Sequence, residues 1–343
     1  MKTLQSLVLS ILTCVAFTSC QHKSHNTNQV ENCIYYWRTV LELDSLERDF
    51  LQTNNIKKAY IRFFDVVVDK SPIARDVVVP NATLQVKSTM PVEKLIPTIY
   101  ITVDAIKEMR QDEVMWAEKI VKRTYNMCSY NELPEPEEIQ LDCDWTEQTG
   151  SIFFNLCREV KKELLLRNSE AKISATIRLH QLSQTPPPVD YGVLMLYNTG
   201  SFENSEEPNS IISVENIKPY LKNLANYSLH LDYAYPIFSW NLVYNRDRHF
   251  KGLINSSSNL PNNILTYISG NNYEVAKDTI INSFYLYKGD VIRKEDAPFT
   301  TIIEVKKMIE QNSHSECCNT ILYQLDKTNI SNYSCDEFKQ IYK

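Results

Sequence analysis

Two carboxylates and an aromatic residue end a strand-like stretch in the middle of this chain. Period-two alternation between Glu138 and Trp145 gives an apolar face (Ile139, Leu141, Cys143, Trp145) and a polar face (Gln140, Asp142, Asp144). Interior strands of a parallel sheet are usually apolar on both faces. The polar face therefore predicts that this strand points into a polar interior, as the strands of a barrel do at their open end.

Two further stretches carry polar side chains in the same alternating phase. Residues 172–182 place Arg178 and His180 on a polar face, and residues 229–240 do the same for His230 and Asp232. If these strands belong to one barrel, we expect all these polar groups to meet Asp142 and Asp144 at one rim.

That cluster suits general acid–base chemistry. Two neighbouring carboxylates do not both ionise easily, so the pKa of one rises and it can act as an acid, while the other stays charged beside Arg178. Glycoside hydrolysis uses carboxylate pairs in this way. We therefore predict Asp144 and Asp142 as catalytic residues.

Substrate contacts are predicted for residues around the same rim. Four aromatic residues at strand ends would offer stacking faces to sugar rings: Trp145, Tyr197, Phe238 and Trp240. The predicted binding set is Arg178, Tyr197, Asp232, Trp240 and Trp145. A structural interpretation stands beside it, in which Asp142 and Arg178 form a buried ion pair, His230 is a hydrogen-bonded structural residue and Trp240 belongs to the core.

Strand and helix patterns alternate along most of the chain, which is typical of a parallel sheet. Strands are predicted at 58–68, 82–86, 99–103, 138–145, 172–182, 192–198, 229–240 and 320–326, with a strand or hairpin at 281–292. Helices are predicted at 40–51, 114–125, 152–166, 214–227, 302–311 and 335–342. About eight strands in one domain favour a closed (β/α)8 TIM barrel. Glycine-rich phosphate-binding motifs are absent from the sequence, which excludes the nucleotide-binding open sheets.

The first residues resemble a bacterial lipoprotein signal. A short apolar run, Leu7 to Phe17, follows Lys2 and precedes Thr18-Ser19-Cys20. This run is too short to span a membrane. We predict a signal peptide at 1–19, a lipidated tether at 20–38 beginning at Cys20, and a single barrel domain at 39–343. The predicted location is the bacterial cell envelope, anchored to the membrane by lipid; a secreted protein without lipid is the alternative.

Charge and cysteine content limit the remaining function classes. The formal net charge of −6 argues against a nucleic-acid partner. Cys143 and Cys157 lie on apolar faces and are interpreted as buried thiols. Cys317, Cys318 and Cys335 could bridge or bind metal, but the sequence offers no CxxC pair or histidine partner, so no metal and no cofactor are predicted.

Two motifs resemble the chitinase-like family 18 glycoside hydrolases. Leu141-Asp142-Cys143-Asp144-Trp145 is similar to the family's D-x-D-W-E strand, and Leu194-Met195-Leu196-Tyr197-Asn198 is similar to its M-x-Y-D strand. The resemblance implies a TIM barrel in which Tyr197 helps to position a substrate N-acetyl group. The chain departs from the pattern at two positions.

The first departure is Thr146, which stands where the family has its proton-donating glutamate, with Glu147 one residue further on. The second is Asn198, which replaces an aspartate. Without an acid, the family mechanism cannot protonate the leaving oxygen. The predicted function is an envelope lipoprotein whose barrel binds or processes a glycan. The alternatives are an active glycoside hydrolase that uses Asp144, and a non-catalytic structural or assembly lipoprotein.

Overall fold

Eight parallel strands form a closed ring in the computed structural model, which describes residues 30–71, 77–255, 260–281, 283–315 and 317–343. The strands in chain order are β1 (Asn32–Tyr36), β2 (Val40–Leu41), β3 (Ile56–Val68), β4 (Val78–Asn81), β5 (Gln85–Val86), β6 (Lys94–Ile101), β7 (Glu138–Asp142), β8 (Lys172–Ile177), β9 (Tyr191–Met195), β10 (Leu231–Pro236), β11 (Trp240–Tyr244), β12 (Phe250–Asn255), β13 (Leu265–Ser269), β14 (Asn272–Val275), β15 (Thr279–Ile281), β16 (Phe284–Leu286), β17 (Val291–Glu295) and β18 (Thr320–Tyr323). The ring runs β1, β18, β10, β9, β8, β7, β6, β3 and closes through the β1–β3 pair. The predicted (β/α)8 barrel is therefore confirmed.

Helices cover the outside of this ring. They are α1 (Ser45–Thr53), α2 (Val103–Glu108), α3 (Glu113–Tyr130), α4 (Gly150–Leu165), α5 (Val214–Ile217), α6 (Leu221–Leu224), α7 (Phe299–Asn312), α8 (Lys327–Ile330) and α9 (Cys335–Tyr342), with 3-10 turns at Leu179–Ser183, Lys218–Tyr220 and Asn262–Ile264. The predicted helix 214–227 is divided into short pieces around Pro219, because proline has no amide hydrogen for a continuous ladder. No helix in the described ranges is both long and apolar enough to cross a membrane.

The barrel begins before the predicted boundary at residue 39. Strand β1 lies within the segment predicted as a tether, and its residues Cys33 to Tyr36 are fully buried. The stretch 82–86 is not a barrel strand, because among the described residues β5 pairs with β2 alone. The helix predicted at 40–51 starts later, where Asp44 and Glu47 form a reciprocal capping box that satisfies free amides at the helix start.

Alternation along β7 has the predicted phase. Gln140 points into the barrel, where its Oε1 accepts a hydrogen bond of 2.8 Å from the hydroxyl of Tyr35, three strands away. The alternate residue Leu141 is fully buried on the opposite face. The same phase takes Asp142 into the barrel interior, and Trp145, in the loop after the strand, packs against α4.

A separate antiparallel sheet is inserted between the seventh and eighth barrel strands. Its order is β12, β11, β17, β14, β13, and the β15–β16 hairpin packs beside it. A side chain at Gly252 would lie 2.7 Å from the ring of Phe284, at a backbone φ of +154°. This glycine permits the close approach of the hairpin to the sheet.

The predicted strand 229–240 is two elements in the structure, because β10 belongs to the barrel and Trp240 begins β11 of the inserted sheet.

Candidate active site at the barrel mouth

Arg178 joins the two carboxylates that the sequence analysis selected. It follows the last residue of β8, so it lies at the carboxyl end of the barrel. Its Nη2 donates to Asp142 Oδ1 at 3.1 Å, and its Nε donates to Asp144 Oδ1. Asp142 ends β7, and Asp144 lies two residues further out. The structure therefore brings these three predicted site residues together.

The two carboxylates have different surroundings. The side chain of Asp142 is 3% exposed and that of Asp144 is 43% exposed. Asp142 also accepts a hydrogen bond of 2.5 Å from the hydroxyl of Thr176. Burial raises the pKa of Asp142, although Arg178 acts in the opposite direction. Asp142 is thus an interior group and Asp144 is accessible from solvent.

The guanidinium of Arg178 is held in its charged form. Burial alone would lower the pKa of Arg178, but the charges of Asp142 and Asp144 outweigh it and the pKa is raised. Its Nη1 is buried and has no hydrogen-bond partner among the described residues. An unpaired buried donor is unfavourable, so Arg178, whose side chain is 22% exposed at the mouth, is suited to meet an oxygen atom of a ligand there.

Tyr197 carries a second unpaired polar atom. It follows β9, its ring stacks on Tyr323 at a centroid distance of 4.4 Å, and Phe238 meets it edge-on at 6.1 Å. Burial raises the pKa of Tyr197 well above its usual value, so the hydroxyl keeps its proton. That hydroxyl has no hydrogen-bond partner within the described part of the chain. Tyr197, Arg178, Asp144 and His180 line one cavity of about 300 Å³.

Several mouth residues were missed by the sequence analysis. Trp37 follows β1 and lies 5.9 Å from the ring of Tyr323, while the guanidinium of Arg62 lies 5.6 Å from the ring of Trp37. Arg62 pairs with Asp65. The run Ile34-Tyr35-Tyr36-Trp37 has the aromatic content of a strand and could have been recognised, but the segment was assigned to the tether.

The placement of Asp232 and His230 at this rim is wrong. Strand β10 begins at Leu231, so both residues lie at the amino end of the barrel. Asp232 accepts hydrogen bonds from the backbone nitrogen of Asn319 at 2.7 Å and from its Nδ2 at 2.8 Å. Asp232 therefore lies at the opposite end from Asp142, and it cannot contact a ligand at the mouth.

Trp145 and Trp240 were both predicted to contact a substrate, and the structure places them in different surroundings. Trp145 is 1% exposed and packs against Phe153 and Phe154 of α4, so it cannot serve as a sugar platform. Trp240 is half-buried, meets Phe238 edge-on at 5.2 Å and donates its Nε1 hydrogen to Glu295 at 2.7 Å. It lines a groove of about 560 Å³ beside the inserted sheet, together with Phe238.

The residues at which this chain departs from the family 18 motifs are exposed to solvent. Thr146 and Glu147 are exposed in the loop that follows β7, and Asn198 adopts a left-handed backbone with φ +53°. Thr146 hydrogen bonds to Thr149, which precedes α4. The chain therefore has a hydroxyl, and no carboxyl, at the position of the family's proton donor.

The cysteines and acidic residues form neither a metal site nor a disulfide in the described ranges. No group of three His, Cys, Asp or Glu side chains in the described ranges could hold a metal ion. The seven cysteines from Cys33 to Cys335 are free thiols, and Cys143 and Cys157 are buried as predicted. Cys20 lies outside the described residues.

The fold is shared with solved chitinase-like barrels. The Bacillus cereus spore cortex-lytic enzyme SleL matches with a TM-score of 0.54 at 11% identity, over 91% of this chain and 74% of that one. A chitinase from Chromobacterium violaceum ATCC 12472 matches with a TM-score of 0.52 at 9% identity, over 91% and 98% of the two chains. The GH18 chitinase ChiB from the chitin utilization locus of Flavobacterium johnsoniae matches with a TM-score of 0.50 at 12% identity, over 92% and 94%.

Sequence comparison adds nothing to this assignment, since no protein-family model matches the chain and no curated protein matches it in sequence. The chain has the fold of the chitinase-like (β/α)8 barrels. The resemblance seen in the two strand motifs is confirmed at the level of fold.

Proposed function

We propose that this protein binds a glycan at the carboxyl end of its barrel. The observation that carries the proposal is one cavity lined by Arg178 and Tyr197, each of which has a buried polar atom (Nη1 and the hydroxyl) that lacks a hydrogen-bond partner among the described residues. Sugar hydroxyl and amide oxygens would satisfy both atoms, because each can accept a hydrogen bond. A bound glycan would thus supply acceptors for both donors.

Other residues of the mouth would supply orientation and contact area. Asp144 is accessible and can accept hydrogen bonds from sugar hydroxyls, since an ionised carboxylate is an acceptor only. The aromatic group of Tyr197, Tyr323, Phe238 and Trp37 gives the mouth apolar faces, which pack against the C–H faces of sugar rings. Asp142 would act indirectly, by holding Arg178 in position.

Hydrolysis by the family route is disfavoured in this proposal. Thr146 has no ionisable proton to give to a leaving oxygen in the usual pH range, and Glu147 is displaced by one residue along the loop. An enzyme that uses Asp144 as acid or base remains the second candidate, because Asp144 is a solvent-accessible carboxylate at the mouth. The two candidates differ in one product, a new reducing end.

The test uses chitin oligosaccharides, because similar structures are named as chitinases. Binding of a six-unit oligosaccharide is measured by calorimetry for wild type, Tyr197→Phe and Asp144→Asn, with release of reducing ends measured in parallel. Asp336→Asn is the matched control, since it removes an exposed carboxylate on α9, 83% exposed, away from the mouth. We expect each mouth variant to weaken binding about tenfold, which corresponds to about 1.4 kcal/mol, while the control binds as wild type does.

The possible results separate the candidate functions. Binding without new reducing ends supports the proposal. Reducing ends that disappear in Asp144→Asn would instead assign an active hydrolase. If neither chitin oligosaccharides nor a wider glycan panel bind to wild type, the glycan proposal is wrong and a structural or assembly role becomes the better explanation.

We further propose that the protein is anchored in the bacterial cell envelope through lipid on Cys20. The proposal rests on the short apolar run, the small residues before Cys20 and the polar stretch after it. Cys20→Ala should move the protein from the membrane fraction to the soluble fraction. Cys335→Ala is the control, because it removes an exposed thiol elsewhere. If Cys20→Ala sediments with membranes as wild type does, the anchor proposal fails.

A further inference from the structure

The described residues that connect β3 to β6 form no helix on the outer ring beside α3. In a (β/α)8 barrel, a helix normally follows each strand. The described residues between the barrel strands β3 and β6 instead form β4, which pairs with β3 as a hairpin, and the short strand β5. A groove of about 700 Å³ lies between these strands and α3, with Phe64, Val78 and Leu84 among its lining residues. It is independent of the glycan site at the mouth.

Helix α3 presents two apolar stripes. One stripe, which includes Ala117, Val121 and Cys128, is buried against the barrel. A second stripe at helical spacing lines the groove and is apolar except for Arg123; it consists of Trp116, Ile120, which is itself buried, Arg123, Met127 and Tyr130. It runs from Trp116 to Tyr130, which is about 21 Å at 1.5 Å per residue. Tyr130 at its end is 88% exposed. Such a second stripe is expected of a helix that packs against a further helix.

The charges around the groove are of one sign. Lys119, Lys122 and Arg123 line it, and no acidic side chain among the described residues does. This is unusual on a chain whose net charge is −6. Neither lysine forms an ion pair within the described part of the chain, although Lys119 Nζ lies 4.4 Å from the ring centroid of Trp116. The groove therefore matches an anionic partner.

Arg123 is fixed in an orientation that leaves a polar atom unpaired. Its Nη2 donates to Thr83 Oγ1 at 2.9 Å, and its guanidinium lies 5.1 Å from the ring centroid of Phe64. Its Nε is buried without a hydrogen-bond partner in the described residues. A cation held rigidly on the floor of an apolar groove is a suitable anchor for a carboxylate, because little side-chain freedom is lost on binding.

We propose that this groove binds an acidic amphipathic α-helix of a partner protein, in the position of the barrel helix that normally follows a strand. The helical spacing and length of the second stripe favour a helix as occupant. The three cations require acidic residues along the flanks of its apolar face. A lipid or a second copy of this chain are the competing occupants, and the experiment separates them.

The probe is a pair of fluorescent helical peptides of about 18 residues. Both carry the same leucine stripe, and the flanking positions are glutamate in one and lysine in the other. Binding is measured by anisotropy for wild type, Lys122→Glu and Lys277→Glu. Lys122 and Lys277 are both exposed, and Lys277 lies in the loop between β14 and β15, so the control makes the same charge change away from the groove.

We expect the glutamate peptide to bind wild type and Lys277→Glu equally, and to bind Lys122→Glu at least about tenfold more weakly. The lysine peptide should also bind wild type at least about tenfold more weakly than the glutamate peptide does. Added salt should reduce the difference between the two peptides, because exposed charges are screened.

Four results would overturn the proposal. One is the absence of glutamate-peptide binding at about 100 µM, and another is equal binding of the two peptides. A third is sedimentation of the Cys20→Ala protein with phosphatidylglycerol vesicles that Lys122→Glu abolishes, which would assign the groove to lipid. The fourth is a dimer, seen by light scattering, that Lys122→Glu dissociates, since a second copy would then occupy the groove.

Discussion

Replacement of Asp142 by alanine tests whether the ion pair inside the barrel holds the fold together. The change removes the carboxylate that accepts from Arg178 at 3.1 Å and from Thr176 at 2.5 Å. Loss of one member of a buried ion pair costs about 3–5 kcal/mol, because the remaining charge is left without its partner. Arg178 keeps Asp144, so we expect the lower end of that range, about 3 kcal/mol.

Asp144→Asn is the matched comparison. Asp144 pairs with the same guanidinium, but its side chain is 43% exposed. Pairs of this kind contribute only about 0–1 kcal/mol, since solvent screens the charges. Asparagine also keeps the shape and one acceptor oxygen. We therefore expect Asp144→Asn to leave the free energy of unfolding within about 1 kcal/mol of wild type.

Urea denaturation followed by circular dichroism measures both changes. With an m-value of about 3 kcal/mol per molar, a loss of 3 kcal/mol lowers the unfolding midpoint by about 1 M. Asp144→Asn should unfold near the wild-type midpoint. If the two variants lose the same stability, or if Asp142→Ala unfolds as wild type does, the distinction between an interior Asp142 and an accessible Asp144 is wrong.

Three further predictions concern the barrel and the inserted sheet. Leu141→Ala should lower the free energy of unfolding by about 2–5 kcal/mol, because Leu141 is fully buried behind β7; an unchanged urea midpoint would contradict this. The pKa of Asp142 is raised above 3.8 in the folded protein, so folding favours the protonated form of this carboxyl group. That stabilisation is fully present below pH 3.8 and is lost as the pH rises through the folded pKa. The stability of Asp142→Asn relative to wild type should therefore increase from pH 4 to pH 7 in paired urea titrations, and a constant difference would count against it. Gly252→Ala should lower the melting temperature, since its Cβ would lie 2.7 Å from Phe284 at a strained φ; a melting curve that matches wild type would refute the close approach.

The sequence determines a large part of this fold. Alternation along β7 assigns Gln140 and Asp142 to the barrel interior and Leu141 to the outside, because a strand's side chains alternate strictly between two faces. The strand and helix order, together with the two motifs around Asp142 and Tyr197, predicts a chitinase-like barrel. These are local properties of the chain, and they do not depend on how its ends meet.

Tertiary structure decides the position of each residue along the barrel axis. It also decides which strands pair to close the ring. Alternation gives Asp232 the right face, but only the start of β10 at Leu231 places it at the amino end, away from Asp142. Trp145 lies in the loop after β7, where packing against α4 and not strand phase sets its burial. The aromatic content of residues 34–37 marks a strand, but its place in the barrel follows only from pairing with β3 and β18, which lie at distant points of the sequence. Closure is a long-range pairing, and no local pattern in residues 32–36 specifies it.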